Sequence, residues 1–471
     1  MRGGLVVASA LGLQFAIALG TQALLARLLE PAHFGALAFA SMAAMAFNAL
    51  TNVHADKFVI RESGDPHRNL DSAFTLELCL AAVMCLFVCL IAPPLMRWLD
   101  QEELTLFVQV LSVSFFYNPL SRPRCLFERE LSFFRARFPF IIAQLAAAAV
   151  ALTLAYLDFG VWSLIAWRLT ILALEVAIHW AIAPYRPRLA WKSEVLRRAL
   201  RFGWPLIGSS LLIFFTYNLD YYIVGQTLED GTVQLGYYWL AFQVAAQFLK
   251  VRDVFQSVLY PIFSRMEDES NRAAIFRKMT RAVGGAFLLP TMVAVFFGRD
   301  LILIVFGETW EPSVFPFRII FLVILTRAIA GNAGYFLYSH GITRWELEAS
   351  ALFLVLLAPM AYVATQRFGI DGTSVSVLVV TLLVTSYSFG VYIRPLAEKG
   401  VCYFFLRPWI VGAATLGLAL LSDALEIRFA GRLVLFSILL ALGYVVVFRG
   451  VIGDLRSAGV FQGLAGRLLR P

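Results

Sequence analysis

The chain has 471 residues, 60% of them hydrophobic and 15% charged, whereas a soluble domain is about half apolar and a quarter charged. That balance excludes an ordinary soluble enzyme and leaves room for roughly a dozen or more membrane-spanning helices of about 20 residues each. The formal charge of +8 does not indicate nucleic acid, because the basic residues are scattered between apolar runs rather than gathered on one patch.

The first apolar stretch, at about 4–28, lacks the basic leading segment and small-residue cleavage site of a signal peptide, so it reads as a spanning helix. Further stretches follow at 34–56, 73–96, 104–120, 138–157 and 161–183. After a basic interruption the series resumes at 204–226, 235–260, 283–306, 314–339, 347–366, 372–393, 404–422 and 431–448, which makes fourteen. Cys79, Cys85 and Cys89 share the third stretch, and Cys125 and Cys402 lie far off. Cys85 and Cys89 fall on one helix face, but no further ligand is near. They read as small packing residues, and no disulfide framework, metal or cofactor is expected.

Connections alternate in charge. One set holds Arg122, Arg124, Arg129, Arg135 and Arg137, then Arg186, Arg188, Lys192, Arg197, Arg198 and Arg201, then Arg265, Arg272, Arg277, Lys278 and Arg281. The other set is short and neutral or acidic, with Asp100 to Glu103, Asp158, Glu229, Asp230, Glu308 and Glu311. Lys and Arg collect on the cytoplasmic side, so both termini are expected there, in a multi-pass protein of a bacterial inner membrane. Trp191 to Phe202 carries apolar residues at Trp191, Val195, Leu196 and Leu200 with Arg and Lys between them, the pattern of an amphipathic helix along the membrane surface. It divides the chain into a first six-helix lobe (1–190), a linker with a second six-helix lobe (191–398) and two additional spans with a tail (399–471).

The two halves echo each other. Leu29, Glu30, Phe34, Gly35 and Ala36, opening span two, return in form as Leu228, Glu229, Leu235, Gly236 and Tyr237, opening span eight, and Phe159, Gly160 and Val161 before span six return as Phe368, Gly369 and Ile370 before span twelve. The shared offset of roughly 200 to 209 residues, six spans apart, indicates parallel repeats, which place a substrate cavity between two lobes.

No phosphate loop, HExxH, GxSxG or clustered histidine is present; the histidines are His33, His54, His67, His179 and His340. The informative residues are ionisable groups inside spans, where a charge costs several kcal/mol and must face a partner or an aqueous cavity. Span six carries Arg168, Glu175 and His179 near one helix face, span seven Asn218 and Asp220, span eight Lys250, Arg252 and Asp253, and span ten Arg327. The cations Arg168, Lys250, Arg252 and Arg327 outnumber the anions, which suits an anionic substrate head group. Asp220 and Glu175 are the candidates for a coupling ion. The structural alternative is that Arg168 pairs with a carboxylate and that Lys250, Arg252 and Asp253 snorkel or pair near a helix end. For Arg299 and Arg318, close to span ends, that alternative is favoured. Pro290 and Pro359 interrupt helical ladders and can act as bend points, moving or static. Trp162, Trp204, Tyr237, Tyr238 and Trp239 at span ends fit an interfacial belt.

Five segments resemble polysaccharide flippases of the multidrug/oligosaccharidyl-lipid/polysaccharide exporter superfamily, closest to the lipopolysaccharide and exopolysaccharide branch. They are Leu25 to Gly35 (LARLLEPAHFG), Asn118 to Arg135 (NPLSRPRCLFERELSFFR), Phe159 to Ile165 (FGVWSLI), Asp220 to Tyr238 (DYYIVGQTLEDGTVQLGYY) and Val258 to Ser264 (VLYPIFS). The resemblance implies an all-α membrane fold of two six-helix bundles in a V, alternating access, and a polyprenyl-diphosphate-linked oligosaccharide as substrate. It further implies a cationic lumen, two spans outside the core, coupling to protons or sodium, and membrane lipids and a polysaccharide polymerase as partners. Two other readings compete. A drug or cation antiporter of the same superfamily would have an acid-dominated cavity, and an integral-membrane polymerase or ligase would need a substantial loop to house its site, whereas the outer loops here are short.

Overall fold

In hydrocarbon the backbone must satisfy its own N–H and C=O groups, and for uninterrupted apolar runs only helices do so. The computed structural model describes residues 2–51, 66–124, 127, 132–183, 185–265, 268–342, 344–443 and 446. These are helical almost throughout, with no strand among the described residues. The helices are α1 (Arg2–Leu28), α2 (Pro31–Thr51), α3 (Pro66–Trp98), α4 (Thr105–Leu111), α5 (Phe133–Tyr156), α6 (Val161–Ile182), α7 (Ser193–Thr227) and α8 (Gly231–Arg265). They continue as α9 (Glu269–Phe296), α10 (Gly298–Val305), α11 (Val314–Ser339), α12 (Arg344–Ser388), α13 (Val401–Ala424) and α14 (Phe429–Gly443). Among the described residues, eight helices are long and apolar enough to cross a membrane.

Two elements differ from the expected pattern. Span four is not one straight helix: α4 gives way to a 3-10 stretch, Ser112–Phe116, and a helical turn, Tyr117–Leu120. Here serine hydroxyls compete for backbone acceptors, Ser112 donating to the Gln109 carbonyl at 2.6 Å and Ser121 to the Asn118 carbonyl at 3.0 Å. The amphipathic segment at 191–202 is not a separate surface helix either, since α7 runs unbroken from Ser193 to Thr227. The connection before it is tied to α3, where Asp71 accepts from the Tyr185 hydroxyl at 2.8 Å and the Arg188 N–H at 2.8 Å.

The repeated glycines have a conformational cause. Gly160 (φ 53°, ψ −126°) turns the chain into α6, and Gly369 (φ 60°, ψ −146°) breaks α12 into arms 344–368 and 370–388. Both occupy a region of φ/ψ space that is open essentially to glycine alone. At Gly369 an added Cβ would meet nothing within 4 Å, so Gly369→Ala isolates the backbone effect. The variant is expected to lose about 1–3 kcal/mol, read as a lowered unfolding midpoint in detergent; an unchanged midpoint would contradict this account.

The contacts divide the chain into two compact units, Met1–Trp239 and Leu240–Pro471. The division falls within α8 rather than near residue 190, because α7 packs on α2 and the first turns of α8 meet α2 as well. In the first unit α5 lies between α1 and α6. There Gly35 and Gly236 bring α2 and α8 into backbone contact. A Cβ on Gly35 would stand 1.7 Å from the Thr232 carbonyl oxygen, and one on Gly236 would stand 1.9 Å from that of Pro31.

In the second unit α9 packs between α11 and α13, and α11 also packs on α12. Its core is aromatic, with the Phe276 and Phe336 rings stacked at 4.3 Å and Phe404 edge-on to Phe276 at 5.6 Å. The two C-terminal helices are anchored by charge. Asp423 of α13 receives Arg318 of α11 at 2.6 Å and Arg432 of α14 at 3.2 Å, and Arg432 also meets Asp300 of α10 at 3.0 Å. Arg299 pairs with Glu311 at 2.8 Å. The structural role favoured for Arg318 and Arg299 is therefore what the structure contains.

Candidate functional site

A carboxylate withdrawn from water needs a cation or several donors, so each buried acid identifies its own partners. In the first unit Glu77, on α3, is fully buried and takes a two-pronged contact from Arg122, with Nε at 2.5 Å and Nη2 at 2.7 Å. The planar guanidinium fork matches the two carboxylate oxygens. Arg122 therefore turns inward from the basic connection to which its charge had assigned it. Glu77 stands out in the sequence as the lone acid of the stretch 73–96.

Glu175 of α6, 2% exposed, accepts from the Tyr117 hydroxyl at 2.8 Å and pairs with Arg124 at 3.5 Å. Its cation is thus Arg124 rather than Arg168. One turn on, His179 is fully buried, with its ring 6.4 Å from that of Phe127. Trp180 donates to the Leu120 carbonyl at 2.6 Å, and Asn118 donates to Asn48 of α2 at 3.0 Å. Residues 117–124 thereby join α2, α3 and α6.

Arg168 lies two turns before Glu175 and reaches a different environment. Its guanidinium donates to the Ser41 hydroxyl of α2 at 3.3 Å, and among the described residues no carboxylate lies within ion-pair distance of it. Asp220 of α7, 3% exposed, accepts from the Tyr238 hydroxyl of α8 at 2.6 Å and from the Tyr221 N–H at 3.0 Å. The rings of Tyr221 and Tyr238 meet edge to face at 5.7 Å.

The second unit holds the other three predicted cations. Arg252 of α8 donates to the Arg327 carbonyl of α11 at 3.4 Å, and the Arg327 guanidinium lies over the Phe353 ring at 5.7 Å. Lys250, two residues before Arg252 on α8, is exposed. The side chain of Asp253 lies outside the described residues, as does Cys125. The structure thus brings Arg252 and Arg327 together and leaves Arg168, Glu175 and Asp220 as three separate polar positions of the first unit. Among the described residues no group of three His, Cys, Asp or Glu side chains could hold a metal. The chemistry available is reversible binding of anions by guanidinium and ammonium groups, beside carboxylates able to exchange a cation or proton.

Residues 24–315 match the family described as "Polysaccharide biosynthesis protein". The chain is 23% identical over 418 residues to the Lipopolysaccharide biosynthesis protein WzxC of Escherichia coli (strain K12), covering 87% of this chain and 84% of that protein. It is 23% identical over 386 residues to the Succinoglycan biosynthesis transport protein ExoT of Rhizobium meliloti (strain 1021), covering 80% of this chain and 76% of that one. Its fold is similar to that of the Lipid II flippase MurJ in an inward closed conformation, with a TM-score of 0.70 at 12% identity, covering 99% of this chain and 100% of the other.

Proposed function

The chain belongs to the polysaccharide biosynthesis protein family, and from that premise we propose that it is a flippase carrying a polyprenyl-diphosphate-linked oligosaccharide across the bacterial inner membrane for cell-surface polysaccharide synthesis. The observation that carries this reading is the conjunction of a full-length flippase fold with the half-buried guanidinium groups of Arg168, Arg252 and Arg327. Arg168 in particular has no acid of the protein beside it among the described residues.

A diphosphate is the natural counterion. Guanidinium donates paired hydrogen bonds to phosphate oxygens and stays charged where water is scarce. Arg168, Arg252 and Arg327, with Lys250, hold the diphosphate in succession as access alternates, and the prenyl tail remains in lipid. Several moderate contacts serve this better than one deep site, because a tight grip would oppose release. An even number of spans, fourteen, would put both termini on one side, and the basic connections make that side the cytoplasm. Asp220 is the first choice for a proton or sodium coupling site, and Glu175 the second. Both are buried acids, and Asp220 accepts from the Tyr238 hydroxyl and from the Tyr221 N–H. The protein transports rather than makes or cleaves the glycan, and it works beside a polymerase that consumes what it delivers.

Deletion of the gene tests the function. The mutant is expected to lose the surface glycan and to accumulate its lipid-linked unit on the cytoplasmic face. Normal glycan with no accumulation would overturn the reading.

A further inference from the structure

The corresponding turns of the two repeats differ in cover. At Gly160 an added Cβ would meet the His33 ring of α2 at 3.1 Å, whereas at Gly369 it would meet nothing within 4 Å. The second turn is an open tip, from which the two arms of α12 run back along each other. They touch at Gly372, where a Cβ would stand 2.2 Å from the Ala364 carbonyl oxygen. They touch again one turn further on, where the Ser376 hydroxyl lies 3.3 Å from the Met360 carbonyl and 2.9 Å from that of Gly372.

Over this seam lies a groove of about 770 Å³, within the range of small-ligand sites, about 300–1,000 Å³. Its walls are Met360 and Val363 of the first arm, Val375 and Val379 of the second, and Phe315 of α11. Ser376 adds no free polar edge, since its hydroxyl is turned onto backbone carbonyls. Phe368 is 69% exposed and Val363 is exposed as well, so the groove opens outward from the protein. It reaches Pro359 on one arm and Val379 on the other, each ten residues from Gly369. At 1.5 Å per residue that is about 15 Å, half the roughly 30 Å hydrocarbon core of a bilayer. The groove is as deep as one leaflet.

Charge is confined to the tip. Arg367 and Asp371 both line the groove and both are exposed. In an unbroken helix their spacing of four would pair them. The turn at Gly369 instead sets one on each arm, and among the described residues neither has an ion-pair partner. An apolar trough one leaflet deep, with a cation and an anion at its mouth, matches a lipid whose head group carries one charge of each sign. The Arg367 fork suits phosphate oxygens, and the Asp371 carboxylate accepts from an ammonium N–H. A lipid diphosphate would set its negative charge beside Asp371 with no ammonium to meet that acid, so the groove is not fitted to it.

We propose that the groove between the arms of α12 binds a glycerophospholipid with a primary-ammonium head group, its phosphate on Arg367, its ammonium on Asp371 and an acyl chain between Val363 and Val375. The site goes beyond the transport path and does not depend on which glycan is carried.

The test places the purified full-length protein in vesicles containing a trace of phosphatidylethanolamine with a photoactivatable acyl chain. Irradiation is expected to put adducts on residues 359–379 well above any other exposed apolar segment. Unlabelled phosphatidylethanolamine should compete several-fold better than phosphatidylglycerol, which has the phosphate without the ammonium. Arg367→Gln should lower the labelling several-fold, and Asp371→Asn should erase the preference for the ammonium lipid. Adducts spread evenly over the apolar surface, equal competition by phosphatidylglycerol, stronger competition by a polyprenyl diphosphate, or unchanged labelling in both variants would overturn the site. If a variant fails to fold, the competition on the parent protein decides.

A second readout needs no cross-linking. Phosphatidylethanolamine added to the protein in detergent should raise the unfolding midpoint of the parent and not that of the double variant Arg367→Gln with Asp371→Asn. No rise in the parent, or an equal rise in both, would also overturn the site. Neither readout involves transport, so a failed flippase reading is recognised separately, by normal surface glycan in the deletion strain.

Discussion

Arg122→Gln and Glu77→Gln are each expected to cost about 3–5 kcal/mol, because removing one member of a buried ion pair leaves the other's charge uncompensated by its fork-matched partner. Glu77 is fully buried, and both its oxygens are engaged, at 2.5 and 2.7 Å. The loss is read as reduced yield of folded protein and a lower unfolding midpoint in detergent. The double replacement Glu77→Leu with Arg122→Met removes both charges and supplies apolar volume. It should recover much of the stability, since well-packed apolar substitutes for a buried pair are often neutral. If the single variants are as stable as the parent, the pair contributes nothing to the fold; if the double variant is stable but inactive, the pair serves transport as well.

The second large effect falls on transport. Charge-assisted hydrogen bonds contribute about 1.5–3 kcal/mol each. Arg168→Gln, Arg252→Gln and Arg327→Gln are therefore each expected to slow export roughly ten- to a hundredfold with little change in expression. Lys in place of Arg keeps the charge and loses the fork, so it should retain more activity than Gln at every position. Arg168 gives the cleanest reading, because its protein contact is a hydroxyl at 3.3 Å and no carboxylate is orphaned when it is replaced. For Arg252 and Arg327 some loss of packing is expected too, given the contacts to the Arg327 carbonyl and the Phe353 ring. Normal export by all three Gln variants would remove the diphosphate path.

The helices were legible in the sequence because lipid imposes one solution on an apolar run of sufficient length, and the glycine echoes marked places where only that residue fits. Gly160 and Gly369 share a backbone conformation that no local propensity would announce, and the repeat alone pointed to them. What the sequence concealed was pairing. Arg122 and Arg124 read as loop charges that orient the protein, yet one is sealed against Glu77 and the other reaches Glu175. Partners 45 or more residues apart are set by how helices pack, and spacing along one helix carries no information about that. The same limit explains why Glu175 and Arg168, seven residues apart on α6, do not pair. Each faces a different neighbour, Tyr117 and Arg124 for the acid and Ser41 for the base. Irregularity in span four was likewise hidden, because serines that bend a helix look no different in sequence from serines that face solvent.

The central claim is tested most directly by movement of the substrate itself. The purified protein, reconstituted into vesicles with a fluorescent polyprenyl-diphosphate-linked oligosaccharide in both leaflets, should expose the inner-leaflet pool to an added glycosidase within minutes under an imposed ion gradient, and Arg168→Gln should slow that exposure at least tenfold. Exposure no faster than in protein-free vesicles, across several glycans from the parent strain, would contradict the account.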